Sequence, residues 1–207
     1  MSQSSQIASS RASVRAPRLR RGHARVSALL AAAAAVFVRR GYDGATMTEI
    51  AAQAGASIGS LYQFFPTKPL IAEALHVQEL AALSGVIEGL SGAVRPGSSL
   101  AEVAGLLFDE LVAFLEEHPV FLVLAERRDI DPVRKAESRR AMLGQIGTLL
   151  ATASPPPDTD RREAVSILLL TLMKVAVSLQ ATQGSTPATR KLVAELRTMT
   201  VKHFAGT

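Results

Sequence analysis

Residues 46–68 read TMTEIAAQAGASIGSLYQFFPTK. This stretch divides into two short helices, about 47–54 and 58–64, joined by a tight turn at Gly55-Ala56-Ser57. A threonine cap opens the first helix, where its oxygen can satisfy orphan amides. Ile50, Ala51 and Ala54 face inward from that helix, while Leu61 and Phe65 share one face of the second. Ala51 is small where the helices cross, and Gly55 supplies the backbone freedom a sharp turn needs. This is a helix-turn-helix arrangement. Ser57, Ile58, Gly59, Ser60, Tyr62, Gln63 and Phe64 remain outward on the second helix. That surface is slim at its start and polar or aromatic further on, as suits a helix that puts its N-terminal residues against base edges. Free amides near Thr48, Ser57 and Lys68 can hold phosphates.

A plain helical hairpin carries the same local pattern, so the flanking charge matters. Residues 1–40 hold eight arginines and no acid, whereas residues 41–207 hold 15 basic and 18 acidic side chains. The net charge of +5 therefore belongs entirely to the N-terminal end. Arg20, Arg21 and Arg25 sit on a helix directly before the motif, and neutralised phosphates supply much of the affinity of proteins for DNA. Residues 1–18, rich in Ser, Ala and Arg with Pro17, read as an unstructured basic arm.

An anionic membrane is the rival polyanion. The apolar run Ala28–Val38 imitates a signal peptide, but Arg39-Arg40-Gly41-Tyr42 follows it in place of a small-residue cleavage site. Ala164–Leu179 is interrupted by Ser166, Thr171, Lys174 and Ser178 and falls short of a spanning helix. A cytoplasmic protein without a membrane partner is expected.

The 207 residues are 48% hydrophobic and 20% charged, which excludes a wholly disordered chain. With no cysteine, disulfide frameworks, zinc knuckles and thiol nucleophiles are excluded too. No run alternates as a strand does. Further helices are predicted at 68–90, 99–117, 119–130, 132–153, 158–182 and 187–204, separated by Gly, Pro and Ser breaks. The fold class is all-α: a three-helix DNA-binding domain at 19–66, then a helical effector-binding and dimerisation domain at 67–207 whose first helix, 67–90, is the connector.

The run from Arg21 to Leu75 resembles the DNA-binding region of the tetracycline-repressor (TetR) family of bacterial regulators. Gly41-Tyr42, Ile50-Ala51, Ala54-Gly55, Ser57, Gly59, Leu61-Tyr62, Phe65 and Lys68 carry the likeness. The resemblance implies phosphate contacts for Thr48, Tyr62 and Lys68, and base-facing roles for Ser57, Ile58, Gly59, Ser60 and Gln63. Gln63 is the best hydrogen-bonding candidate, since it can pair with adenine bidentately. Ile58, Gln63 and Phe64 depart from the residues usual in the family, and Phe64 lacks the hydroxyl of the usual tyrosine.

The resemblance also implies a dimer with a small-molecule pocket in the C-terminal half. Val165, Leu168, Leu169, Leu172, Val175 and Leu179, then Leu192, Leu196 and Met199, offer more apolar surface than one small domain hides. Pairing with a two-fold copy would bury it. Pocket candidates are Leu107, Leu111, Phe114, Phe121, Met142, Gln145, Ile146 and Leu149, with Gly144 and Gly147 leaving room nearby. Low aromatic content favours a flexible, mostly aliphatic effector. No catalytic residue, metal site or cofactor is expected, because His23, His76, His118 and His203 are scattered without ligand spacing. The reading is a dimeric, ligand-responsive repressor on a palindromic operator; a constitutive DNA-binding module is the alternative.

Overall fold

In the computed structural model, described residues are 4–125, 127, 129, 132–183 and 186–205; side chains are described from Gly22 onward, except at 132, 135, 180, 181 and 183. The described residues form α-helices and connecting turns with no strand, so the all-α class is as expected. In chain order the helices are α1 (Ser4–Gly44), α2 (Met47–Gln53), α3 (Ile58–Phe64), α4 (Lys68–Leu90), α5 (Leu100–Glu117), α6 (Val120–Ala125), α7 (Pro132–Leu150), α8 (Thr159–Gln183) and α9 (Pro187–Ala205).

The chain divides into two compact units, and the division falls inside α4 and inside α6. The first unit contains the chain up to His76 together with Val123–Arg127. Its core is built from one face each of α1, α2, α3 and the start of α4: Leu29, Ala33, Val36, Phe37, Ile50, Leu61 and Ile71 are all fully buried. α1 bends at Gly41, whose φ of 72° lies in the region glycine tolerates without strain. Helical backbone in α1 begins at Ser4, where composition suggests an irregular arm; alanine and arginine stand high in helix propensity and favour helix there.

Residues 22–44 and Lys68–Leu90 are long and apolar enough to cross a membrane by length and composition. Each nevertheless puts a stripe into a protein core, through Leu29, Val36 and Phe37 in one and Ile71, Leu75, Leu83 and Ile87 in the other.

The second unit comprises Val77–Leu122 and Arg128–Thr207. α5 packs against α8 and α9, and α7 against α8. Ser99 and Glu102 form a capping box at the start of α5, and eleven of its residues are buried. Gly105 permits the close approach of α9, since a Cβ there would lie 3.0 Å from Val201 Cγ2. Beside it Arg197 holds Asp109 through two hydrogen bonds of 2.6 Å. A buried carboxylate, Glu79, accepts a 2.7 Å contact from His118 Nδ1, and His118 stacks on Phe114.

The helix expected over 119–130 stops at Ala125, after six residues. Polar residues follow, and Asp131 precedes Pro132, a position that disfavours helical backbone. Arg127 lies beyond this end with its N–H on the Leu124 carbonyl.

Candidate nucleic-acid interface

The helix-turn-helix is assembled by local hydrogen bonds that the sequence encodes directly. At the start of α2 the Thr46 hydroxyl oxygen accepts from the Glu49 N–H at 3.2 Å. Glu49 returns the contact, accepting from the Thr46 N–H at 3.1 Å and from its hydroxyl at 3.0 Å. This reciprocal box satisfies two orphan donors at once. Hydrogen bonds from Thr46, and then the Arg40 charge, hold the Glu49 carboxyl below its ordinary range; Arg40 Nε lies 3.1 Å from it. The turn after α2 passes through Gly55 at φ 59°, with the Ala56 N–H on the Ala51 carbonyl. Ser57 then caps α3 by accepting from the Ser60 N–H at 3.2 Å.

With Leu61 fully buried and Phe65 only 8% exposed, the opposite face of α3 is fixed outward. Ile58, Tyr62 and Phe64 are 40%, 48% and 39% exposed, and Gly59 and Gln63 are exposed beside them. Three large side chains are thus partly exposed on a helix of seven residues. A Cβ on Gly59 would meet nothing within 4 Å, so packing inside this unit does not call for glycine there.

Not every expected contact residue shares that face. Thr48 is exposed on α2, and Ser57 is exposed although its oxygen is engaged in the cap. Ser60 turns toward α1, where Arg25 Nη2 lies 3.5 Å from its Oγ, so it supports the helix instead of facing outward. Arg25 is correspondingly part-buried. The side chains of Arg20 and Arg21 lie outside the described residues.

Lys68 needs the largest revision. Its ammonium group points into the protein, at 2.8, 3.1 and 3.0 Å from the carbonyl oxygens of Tyr42, Asp43 and Ala45. An ammonium has three protons, and all three are directed to these carbonyls. Lys68 therefore ties the start of α4 to the turn between α1 and α2, and has no proton left for a phosphate in this arrangement.

In the second unit the expected pocket residues come together, but as packed core. Leu107, Leu111 and Ile146 are fully buried, Phe114, Phe121 and Leu149 nearly so, and Met142 and Gln145 half-buried at the margin. Gln145 Nε2 donates to Ser84 Oγ. Gly144 faces open space, in a cleft of about 360 Å³ shared by α7 and α8.

The expected dimer residues split between two faces of α8. Val165 and Leu169 belong to the core of this unit at 3% and 0% exposure and are not available to a partner surface. Counting apolar residues without fixing the helix phase merges the two faces. Leu168, Val175, Leu192 and Met199 are exposed, and Leu172, Leu179 and Leu196 are half-buried.

Residues 29–75 match the bacterial regulatory proteins of the tetR family, and residues 99–203 match the tetracyclin repressor-like C-terminal domain. The chain belongs to the TetR family. Its helix-turn-helix is thus that of a DNA-binding transcription regulator. No curated protein matches the chain in sequence. Solved structures share the fold. The regulator FadR from Bacillus subtilis, in complex with stearoyl-CoA, is 15% identical over 84% of this chain and 97% of its own, with a TM-score of 0.69. A TetR-like regulator from Rhodococcus sp. RHA1 is 21% identical over 88% of this chain and 97% of its own, with a TM-score of 0.62. A fatty acid metabolism regulator from Clostridium perfringens is 20% identical over 84% and 97%, with a TM-score of 0.61.

Arg127 and Tyr42 carry contacts that sequence reasoning missed. Arg127 Cζ lies 4.5 Å from the Tyr42 ring centroid, and Lys68 Nζ 4.6 Å from the same centroid. Arginine in a polar run reads as solvated, and only the fold reveals this one to be 6% exposed.

Proposed function

We propose that this TetR-family regulator is a ligand-responsive repressor, acting in the cytoplasm as a homodimer on a palindromic operator and released by a small apolar effector. The outward face of α3 carries the reading: Ile58, Gly59, Tyr62, Gln63 and Phe64 are exposed while Leu61 anchors the helix from behind. Tyr62 and Thr48 serve phosphates; Ile58, Gly59 and Gln63 meet base edges. The dimer reading draws support from exposed Leu168, Val175, Leu192 and Met199, and such a pairing would place two recognition helices about one turn of DNA apart. The effector reading draws support from the long alkyl chain of the stearoyl-CoA bound by the Bacillus subtilis neighbour and from the aliphatic character of the cluster around Leu107, Leu111 and Ile146.

Release requires the effector to bind the non-operator conformation better, because equal affinity shifts nothing. Selection of fragments from sheared genomic DNA by the purified protein tests the reading, followed by titration of the selected fragment in the presence of acyl-CoA thioesters and free fatty acids. A palindromic fragment released by one of these is the expected result. A fragment whose affinity none of them alters would favour the constitutive module, a reading that the tightly packed cluster around Leu107 also supports. No selected fragment would overturn the DNA-binding role.

A further inference from the structure

The Tyr42 ring holds two cations, and they come from distant parts of the sequence. Lys68 belongs to the first turn of α4, and Arg127 to the segment that follows α6. Both lie with Tyr42 in the first compact unit. Desolvation strengthens an attraction between a guanidinium and an aromatic ring, and Arg127 is almost completely removed from solvent. The backbone of Arg127 is itself held, through its N–H on the carbonyl of fully buried Leu124.

Tyr42 stands at a junction. Its ring meets the fully buried ring of Phe37 edge-on, with centroids 5.5 Å apart. Its carbonyl is the nearest of the three that receive Lys68. Three residues along, buried Ala45 supplies another, and Thr46 next to it caps α2. The 42–46 corner thus fixes where α2 begins and where α4 begins, and α3 is strung between them.

We infer that Arg127 is a positioning residue for operator recognition: by holding the Tyr42 ring it fixes the corner that orients α2 and α3, without touching DNA. This rests on the DNA-binding reading of α3. At 6% exposure its guanidinium cannot reach a phosphate, so its contribution differs in kind from that of an ordinary basic contact. Removing a phosphate contact lowers the salt slope of binding by about 0.9. Removing a positioning residue lowers affinity and leaves the slope alone.

The test uses the full-length protein and the DNA fragment it selects from a random-sequence library. Arg127→Gln removes the charge, Arg127→Lys keeps a cation, and Tyr42→Leu removes the ring. Arg127→Gln should weaken binding about tenfold across fragment variants, at unchanged salt slope and with a helical circular-dichroism spectrum retained. Arg127→Lys should recover most of the loss. The loss caused by Arg127→Gln should be smaller in a Tyr42→Leu background than in the wild type, because part of it runs through the shared ring. Should Arg127→Gln fail to fold, Arg127→Lys against Tyr42→Leu decides alone: near-native affinity in the first and loss in the second support the inference, and any other pattern overturns it. Unchanged affinity in folded Arg127→Gln, additive losses, or a salt slope lowered by about 0.9 would each overturn it. A wild-type protein that selects no fragment would overturn the DNA-binding reading as well, whereas normal selection by unaffected variants would sink only the role of Arg127.

Discussion

Lys68 Nζ lies 2.8 Å from the carbonyl oxygen of Tyr42 and is the charged end of an internal tie. Hydrogen bonds to charged groups contribute about 1.5–3 kcal/mol each, and breaking this three-pronged tie leaves three carbonyls to find water. Lys68→Met should therefore destabilise the protein by about 2–3 kcal/mol in urea unfolding. Its DNA-binding salt slope should stay within error of the wild type. A slope lowered by about 0.9 with unchanged stability would restore Lys68 as a phosphate contact.

Gly59 separates fold from function in the opposite sense. Glycine inside a helix is less stable than alanine by about 0.5–1 kcal/mol, and a Cβ at this position meets nothing in the protein. Gly59→Ala should raise the unfolding midpoint slightly while weakening operator affinity. Equal or tighter DNA binding by this variant would show that the groove does not approach α3 closely at Gly59.

On the proposed reading, the neighbours Tyr62 and Gln63 have different duties. Tyr62→Phe removes only a hydroxyl from an exposed ring, and affinity should fall evenly across operator variants. Gln63→Ala should relax preference at one base pair per half-site, at a cost of about 1–3 kcal/mol on the preferred sequence. Titrations over single-base operator variants separate the two patterns. Unchanged affinity and preference in both variants would remove α3 from the interface.

Strong acid should loosen the caps of α2 and α5. The Glu49 and Glu102 carboxyls lie below the ordinary value of 4.5, chiefly through hydrogen bonds from Thr46 and Ser99. Depressed carboxyls stabilise the folded state above the unfolded value, and that contribution disappears as pH falls from about 4.5 through their lower folded values. Between pH 7 and 5.5 these two groups should contribute no change. Thermal melting from pH 6 to 3 checks this: Glu49→Gln should flatten part of the acid limb, and an unaltered limb would count against the capping assignment.

Much of the fold could be read because local chemistry repeats itself in it. The threonine cap of α2, the turn at Gly55 and the inward set Ile50, Ala51, Leu61 and Phe65 follow from residue type and spacing. Phase is harder to read. Val165 and Leu168 look alike in the sequence, and only the packing of α8 against α5, α7 and α9 tells which faces the core. Side-chain commitments are harder still: Arg25, Arg39 and Arg40 look like a basic surface, yet they reach Ser60, Gln53 and Glu49 within the protein. Lys68 and Arg127 escape sequence reasoning because their partners, a set of carbonyls and a ring, lie more than twenty residues away.

Leu107, Leu111 and Ile146 expose no surface to solvent. A molecule admitted among them would have to wait for the helices to part. Its apparent affinity would be its intrinsic affinity multiplied by the small fraction of time the site stands open. Association would then level off at high concentration, with the breathing of the helices as the clock.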